Sequence, residues 1–265
     1  MDKEIIIKNF SMYAHIYDKY ANVQQIIANE LIDKIPERIN SKILFSDKND
    51  FKRILEIGCG TGNYTFLLRE KYKNACIKAM DISDKMIEVA KHKLRDKNIK
   101  FVIGDAETIN LDTKFDIITS NATFQWFKDI EETVVKYKNI LVKGGIILFS
   151  TFGPLTFYEL KKSINETLRK KTFIASDNFL EKEKIETILR KYFNEVSIRE
   201  KIFSEDYSTL MNLLNKIKYS GERGSGINGK FILTKDILKK IEHTYISIYG
   251  RITASYQVFF CRVKK

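Results

Sequence analysis

Short apolar runs alternate with amphipathic helical patterns through the first 150 or so residues of the chain. The apolar runs predict five strands, at residues 53–60, 75–81, 99–105, 115–121 and 144–151. Between them, apolar positions at helical spacing predict helices at residues 61–72, 83–96 and 129–141, the second with Ser83 as N-cap. Strands that alternate with helices in this way indicate an α/β fold with a mostly parallel sheet.

The flanking segments carry helical patterns and two more strands. Phe10, Tyr13, Ile16, Tyr17 and Tyr20 recur at helical spacing and predict an amphipathic helix over residues 7–34. The later segments predict helices at 155–170, 177–192, 207–219 and 235–247, and strands at 194–203 and 253–263. No linker rich in Pro, Gly or Ser divides the chain and no internal repeat is visible, so we expect one domain over residues 1–265.

Polar residues follow several of the predicted strands. Glu56, Asp81, Asp105 and Asn121 lie at the ends of the first four. In an open parallel sheet, ligands bind beyond the carboxyl ends of the strands, so these side chains mark the expected site. An N-terminal helical cap (residues 1–50) would then cover a cofactor-binding half (51–152), and residues 153–265 would supply the substrate side, with the last two strands and a helical lid.

The segment LEIGCGTG places Gly58, Gly60 and Gly62 at the first strand-to-helix turn, where the backbone must bend sharply and lie close to a ligand. The spacing Gly-x-Gly-x-Gly differs from the Gly-x-Gly-x-x-Gly of a pyrophosphate-binding loop. Glu56, just before the loop, would repel a pyrophosphate but would attract an ammonium or a sulfonium group. Asp81 could accept both hydrogen bonds of a ribose diol, and Asp105 could accept one from an adenine amino group.

This combination resembles the class I methyltransferases that use S-adenosyl-L-methionine. The resemblance implies a Rossmann-like seven-stranded sheet of order 3-2-1-4-5-7-6 with helices on both faces, and no metal. The cofactor-binding residues that it implies are Glu56, Gly58, Cys59, Gly60, Gly62, Asp81, Ile82, Asp105, Ala106, Glu107 and Asn121.

Three separated stretches are similar to the malonyl-acyl-carrier-protein O-methyltransferases of biotin synthesis. They are FSMYAHIYDKYANVQ near the N-terminus, GDAETINL with FDIITSNATFQWFKDIEET in the centre, and ILFSTFGPLTFYEL after the predicted helix at 129–141. The chain departs from the family pattern in NILVKGG, which lacks an Arg and a Pro, and at Leu155, where a Gly is usual. The resemblance implies methyl transfer to the free carboxylate of a malonyl thioester, whose ester is then elongated toward pimeloyl.

A carboxylate acceptor has an ordinary pKa of about 3.3 to 4.3 and is ionised at neutral pH, so no general base is required. The enzyme must instead align the acceptor and exclude water. The residues expected to do this are Tyr17, Asn121, Gln125, Trp126 and Arg223. Structural roles compete with this interpretation: core packing for Tyr17, anchoring of the next helix for Trp126, and a solvated loop position for Arg223.

The net charge of +12 indicates a surface that attracts acidic partners, and an acidic acyl carrier protein is the partner expected here. The lysines are spread along the chain, so a compositional bias explains the charge equally well. Neither Cys59, Cys76 and Cys261 nor the three scattered histidines show metal-site spacing. No apolar run or leader pattern indicates a membrane segment or secretion, so a cytoplasmic protein is expected.

Three other functions compete with this hypothesis. A methyltransferase for small carboxylates such as trans-aconitate has a similar fourth-strand region. A nucleic-acid methyltransferase would suit the charge, but Asn121 is followed by Ala122 and Thr123 instead of the Pro-Pro-aromatic sequence of the amino-methylating enzymes, and no concentrated basic tract is present. A regulator that binds the cofactor without catalysis remains open from spacing alone.

Overall fold

The computed structural model describes residues 2–35, 52–224, 226 and 234–265, and its central element is one seven-stranded sheet. The strands are β1 Arg53–Ile57, β2 Cys76–Asp81, β3 Ile99–Ile103, β4 Phe115–Ser120, β5 Leu141–Phe152, β6 Glu195–Tyr207 and β7 Ile252–Lys264. Their order is β3-β2-β1-β4-β5-β7-β6, with β7 antiparallel to β5 and to β6 and the other pairs parallel. The fold class and strand order predicted from the sequence are confirmed.

Helices cover both faces of the sheet. They are α1 Lys3–Tyr13, α2 Asn22–Asp33, α3 Asn63–Lys71, α4 Asp84–Lys93, α5 Ile130–Ile140, α6 Tyr158–Leu168, α7 Lys182–Tyr192, α8 Leu210–Tyr219 and α9 Lys235–Tyr249. Successive residues of β1 point to opposite faces, so Ile54 packs in the core that holds α2, α6 and α9, and Leu55 in the core that holds α5 and α7. Among the described helices, none combines the length and apolar character that crossing a membrane requires.

The prediction of a single helix over residues 7–34 is wrong. Two helices, α1 and α2, are separated by a segment that contains a short 3-10 turn at Tyr17–Lys19. The break has a physical cause at Asp18. Its carboxylate accepts hydrogen bonds from Thr61 (2.5 Å), Asn63 (3.0 Å) and Lys93 (2.5 Å). These contacts fix the turn against the glycine loop and α4, and the turn separates α1 from α2. Residues 36–50 of the predicted N-terminal cap lie outside the described residues.

Two other predicted elements differ from the structure by four or more residues at one end. The helix expected at 177–192 begins only at Lys182, after a 3-10 turn at Ala175–Asn178. The strand expected to end at residue 203 continues to Tyr207, because β6 pairs with β7 along its whole length.

Candidate active site

An open cleft lies at the carboxyl ends of β1, β2, β3 and β4, where the strand-end residues predicted it. Its wall opposite the sheet is formed by α1 and the turn that follows it. The residues that line the cleft are Lys3, Ile6, Phe10, Tyr17, Ile57, Gly58, Gly60, Met80, Asp81, Ile82, Met86, Gly104, Asp105, Ala106, Asn121, Ala122, Thr123, Trp126 and Phe127. The lining is mostly apolar with a few polar groups, which is typical of a small-molecule site.

The glycine loop forms the floor of the cleft, and its glycines are needed for two different reasons. Gly58, Gly60 and Gly62 have φ angles of +68°, +53° and +86°, a region that side chains disfavour. A Cβ on Gly58 would lie 2.1 Å from the side chain of Thr123, whereas a Cβ on Gly60 would meet nothing within 4 Å. Space beside Gly60 is therefore open to a bound molecule.

Asp81 joins the glycine loop to the end of β2. Its Oδ2 accepts a hydrogen bond from the Gly60 N–H (2.8 Å), and its Oδ1 accepts one from the Ser83 N–H (2.9 Å). Burial raises the pKa of Asp81 above its usual range. A carboxylate can accept about four hydrogen bonds, so both oxygens retain capacity for the hydroxyls of a ribose.

Glu56 is buried beneath the glycine loop, with 1% of its surface exposed, and does not belong to the lining of the cleft. Its Oε2 has no hydrogen-bond partner among the described residues. Burial, with a contribution from the charge of Asp81, raises the pKa of Glu56 to about 8. An unpartnered buried carboxyl group is costly, and a cation bound above the loop would relieve part of that cost.

Asp105 is held by a residue that the sequence did not suggest. The Lys3 ammonium lies 2.5 Å from each of its carboxylate oxygens and also pairs with Glu107. The Glu107 carboxylate accepts hydrogen bonds from the backbone N–H groups of Lys128 and Asp129, just before α5. Glu107, predicted to bind the cofactor, thus anchors the loop before α5 and does not line the cleft.

Tyr17 reaches the cleft from the 3-10 turn between α1 and α2. Its ring packs 6.3 Å from that of Phe10, measured between centroids. Burial, reinforced by the nearby carboxylates Glu222, Asp18 and Asp81, raises the pKa of the Tyr17 phenol far above its usual value. The hydroxyl therefore stays protonated and can act as a neutral hydrogen-bond donor in the cleft.

Asn121 forms the wall at the end of β4 and is fixed on both sides. Its Nδ2 donates to the carbonyl of Gln24 (3.0 Å), and its Oδ1 accepts from the Ser150 hydroxyl (2.8 Å). One N–H of the amide remains for a ligand, because the nitrogen carries two. The next residue, Ala122, has a φ of +50°, and backbone strain of this kind is concentrated at functional sites.

Gln125 and Trp126 are adjacent in the sequence but lie in different environments, because only Trp126 lines the cleft. Gln125 donates to the Ala122 carbonyl (2.7 Å) and accepts from the Thr151 hydroxyl (3.2 Å), so its amide ties the turn after β4 to β5. It is buried behind the wall and does not line the cleft, contrary to the expectation. Trp126 does line the cleft and packs edge-to-face against Phe179, with centroids 5.6 Å apart.

Arg223, the expected partner of the acceptor carboxylate, is exposed and does not line the cleft. It follows α8 in a loop whose next residue but one, Ser225, lies outside the described residues. The neighbouring Glu222 is instead the buried residue of this loop. The loop does reach α1, because the Asn9 side chain donates to the Gly224 carbonyl (2.8 Å).

Of the predicted cofactor residues, seven line the cleft: Gly58, Gly60, Asp81, Ile82, Asp105, Ala106 and Asn121. Cys59 lines a smaller adjoining cavity, with Tyr17 and Asn121, whereas Gly62 packs against Leu94 and Ala90 of the α4 region. Lys3 and Ile6 also line the cleft but were not predicted as site residues, because nothing in the sequence marks them beyond their place on an amphipathic helix. No group of three or more His, Cys, Asp or Glu side chains that could hold a metal ion occurs in the described part of the chain.

The chain matches the family model described as a methyltransferase domain over residues 48–204. It is 33% identical over 279 residues to the malonyl-[acyl-carrier protein] O-methyltransferase of Acetivibrio thermocellus, with 100% of this chain and 95% of that protein covered. It is 31% identical to the protein of the same name from Bacillus anthracis, with 100% and 98% covered.

Solved structures share the fold at lower identity. The YcgJ protein of Bacillus subtilis is similar with a TM-score of 0.60 and 16% identity, over 91% of this chain and 98% of that one. A phosphoethanolamine N-methyltransferase 2 of Haemonchus contortus, solved with S-adenosyl-L-methionine, has a TM-score of 0.56 and 18% identity, over 96% and 57%. Given the full-length similarity to the curated relatives, the chain belongs to the malonyl-[acyl-carrier protein] O-methyltransferase family.

Proposed function

We propose that this protein transfers a methyl group from S-adenosyl-L-methionine to the free carboxylate of a malonyl group carried by an acyl carrier protein. The observation that carries the proposal is a cleft at the strand ends that combines a cation-attracting floor with an uncharged acceptor wall, in a chain similar along its whole length to proteins of that name. The product would be the methyl ester from which pimeloyl is made for biotin.

The residues at the floor of the cleft fit the cofactor. Gly58 and Gly60 leave backbone exposed to it, Asp81 can accept from the ribose hydroxyls, and the unpartnered Glu56 favours its positive end. Asp105 and Ala106 line the part of the cleft where the adenine would bind. The Asp105 carboxylate would accept a hydrogen bond from the adenine amino group while it remains paired with Lys3. When bound, the cofactor supplies an electrophilic methyl group on a sulfonium.

The acceptor wall suits a carboxylate nucleophile. Tyr17 can donate a neutral hydrogen bond that positions the carboxylate without neutralising it, and the free N–H of Asn121 can do the same. A strong ion pair would lower the energy of the ionised acceptor more than that of the transition state, where its charge is partly lost. The aromatic rings of Phe10 and Trp126 exclude water, which strengthens these interactions.

The acyl carrier protein would bind a positively charged surface, which we call the basic patch. It consists of exposed residues at the end of α6 and on α9, namely Arg169, Lys170, Lys171, Lys239 and Lys240. The two helices pack antiparallel, because Tyr158 lies near Tyr249 and the Thr167 hydroxyl bonds that of Thr244. Phe157, the residue before α6, lines a small cavity that shares Trp126 with the cleft, so the patch lies about 16 Å beyond that cavity, one length of an 11-residue helix.

A cytoplasmic location is part of the same proposal. Cys59, Cys76 and Cys261 are free thiols, which is typical of reducing compartments. Carrier-protein substrates of fatty-acid synthesis are found there too.

The proposal is tested by incubating the protein with cofactor labelled in the methyl group and with malonyl-acyl carrier protein. Treatment of the product with base should release labelled methanol, because an ester is formed. Holo acyl carrier protein without the malonyl group and trans-aconitate serve as the comparison acceptors. Preferential methylation of trans-aconitate, or no base-labile label on the malonyl carrier, would contradict the proposal.

A further inference from the structure

Asp18, the residue after Tyr17, binds the glycine loop although it does not line the cleft. Its Oδ1 accepts hydrogen bonds from the Thr61 hydroxyl (2.5 Å) and from the Asn63 side chain (3.0 Å). Its Oδ2 accepts one from the Lys93 ammonium (2.5 Å), which also donates to the Asn63 side chain (2.7 Å). The carboxylate therefore connects the turn between α1 and α2 to the glycine loop, to the start of α3 and to α4.

The glycine loop is held by β2, independently of the turn. The Gly60 N–H donates to the Asp81 carboxylate (2.8 Å), and the Cys59 N–H donates to the Met80 carbonyl (2.9 Å). Thr61, between the last two glycines of the loop, is 1% exposed. Its hydroxyl is thus a fixed point on the cofactor side of the cleft, to which the turn is attached.

On its other side the turn packs through aromatic rings. The Tyr20 ring lies 4.8 Å from that of Tyr219 at the end of α8, and the Tyr17 ring lies 6.3 Å from that of Phe10, both measured between centroids. Apolar packing has no preferred direction, whereas hydrogen bonds weaken steeply with distance and angle. The bonds of Asp18 are therefore the contacts of the turn that are suited to fixing where the Tyr17 hydroxyl lies.

We propose that Asp18 is a positioning residue for methyl transfer, which holds Tyr17 in place relative to the glycine loop and so aligns the acceptor with the cofactor bound there. The inference rests on the proposed function, in which the Tyr17 hydroxyl orients the acceptor carboxylate. Asp18 does not line the cleft and acts through its neighbour. A misplacement of about 1 Å can cost roughly a hundredfold in rate, so a contact outside the cleft can affect the reaction.

The test is a double-mutant cycle with the native protein, Asp18→Ala, Tyr17→Phe and the variant that carries both changes. We measure kcat/KM for malonyl-acyl carrier protein at saturating cofactor, per site that binds S-adenosylhomocysteine, so a loss of folded protein does not lower the value. Asp18→Ala should reduce kcat/KM roughly tenfold when Tyr17 is present. In the Tyr17→Phe background it should reduce it less than about threefold, because the hydroxyl that Asp18 positions is already absent.

Two readouts separate positioning from a merely structural role. A structural role would reduce kcat/KM by the same factor in both backgrounds of the cycle. The affinity for S-adenosylhomocysteine, measured by calorimetric titration, should stay within about threefold of the native value in Asp18→Ala, because β2 holds the glycine loop.

Thr61→Val separates the position of Asp18 from its charge. It removes one donor to Asp18 but keeps the carboxylate, which, after burial and Glu222, contributes to the raised pKa of the Tyr17 phenol. We expect kcat/KM to fall roughly threefold to tenfold, again only when Tyr17 is present. Thr61→Ser keeps the hydroxyl and should restore kcat/KM to within about twofold of the native value.

Glu70→Ala is the matched control for the loss of a carboxylate. Glu70 and its partner Lys97 are 48% and 38% exposed, compared with 40% and 31% for Asp18 and Lys93. Glu70 lies on α3 and pairs with Lys97, not with the turn, in the described part of the chain. Its removal should leave kcat/KM within about twofold of the native value.

Several outcomes would overturn the inference and leave methylation of the malonyl carrier intact. They are equal losses for Asp18→Ala in both backgrounds, no loss when Tyr17 is present, and native kcat/KM in Tyr17→Phe. Native kcat/KM in Thr61→Val would do the same, because the effect of Asp18 would then come from its charge. If the native protein does not methylate the malonyl carrier, the proposed function fails and the inference fails with it.

Discussion

Phe10 of α1 packs edge-to-face on Trp126, with ring centroids 6.0 Å apart, and so closes the cleft between the N-terminal helix and the sheet. The Phe10 ring also fills the space above Gly221, where a Cβ would lie 2.4 Å from it. One side chain of α1 thus contacts both the acceptor wall and the loop that carries Glu222.

Replacing Phe10 by Ala should open this wall to water. We expect kcat/KM for the malonyl carrier to fall roughly tenfold or more, and the free energy of unfolding to fall by about 2 kcal/mol, less than for a fully buried Phe. Steady-state kinetics and denaturant unfolding measure the two effects. Met12→Ala on the same helix is the control, because Met12 is 51% exposed and should change neither quantity. Unchanged kinetics in Phe10→Ala would show that α1 does not close the site.

Tyr17→Phe removes only the hydroxyl. If the phenol positions the acceptor carboxylate, kcat/KM should fall roughly tenfold to a hundredfold, with little change in the affinity for the cofactor. Calorimetric titration with S-adenosylhomocysteine separates the two properties. The control is Tyr13→Phe, since Tyr13 packs against Tyr219 outside the cleft lining. Equal turnover by both variants would assign Tyr17 to packing alone.

Glu56 should make the unliganded protein less stable as the pH rises. Its pKa is about 8 in the folded protein and 4.5 as the ordinary value, so the folded state holds a proton that the unfolded state loses between these pH values. This contribution to stability is complete below about pH 4.5 and is lost as the pH rises to about 8, by on the order of 3 to 5 kcal/mol.

Glu56→Gln should lack this loss, so the variant should gain stability relative to the native protein between pH 4.5 and pH 8. It should also bind the cofactor at least about tenfold more weakly, because the positive end of the ligand loses its carboxylate partner. Unfolding curves at several pH values and titration with the cofactor measure the two effects. A constant stability difference across this pH range would contradict the raised pKa.

Arg223→Ala should leave kcat/KM for the malonyl carrier within about threefold of the native value, as expected for an exposed side chain outside the cleft. The sequence made Arg223 the candidate partner for the carboxylate, so this variant decides between that prediction and the geometry. A loss of about a hundredfold would mean that the loop moves Arg223 into the site when substrate binds.

The basic patch should control the affinity for the carrier protein. The double variant Lys170→Glu with Lys171→Glu should raise the apparent KM for malonyl-acyl carrier protein roughly three- to tenfold at low salt. The KM for malonyl-coenzyme A should stay almost unchanged. Salt should raise the native KM for the carrier in the same selective way. Lys100→Glu with Lys143→Glu, near the amino ends of β3 and β5, is the control. Equal salt dependence for both substrates would contradict docking at the patch.

The sheet and its glycine loop could be predicted because their signals are local. The buried strands are short, largely apolar runs, and the polar residues Glu56, Asp81 and Asn121 lie within one residue of the ends of β1, β2 and β4. The break before α2 could not be predicted in this way. It depends on contacts of Asp18 with Asn63 and Lys93, which are 45 and 75 residues away in the sequence.

The direction in which a side chain points at the end of a strand also could not be predicted from the sequence. Asn121 and Gln125 are both amides after β4, yet Asn121 faces the cleft and Gln125 faces β5, where Thr151 and the Phe152 N–H satisfy it. In the loop after α8, the sequence drew attention to the cation Arg223. The buried group is its neighbour Glu222, which is paired with Lys216 one helical turn before the loop.

Because α1 reaches Asp105 through Lys3 and Trp126 through Phe10, the cofactor and the acceptor share one wall. A ligand that restrained this helix would lower the conformational entropy that the other ligand must remove. The two binding equilibria would then be thermodynamically linked, and each ligand would raise the affinity for the other by the same factor.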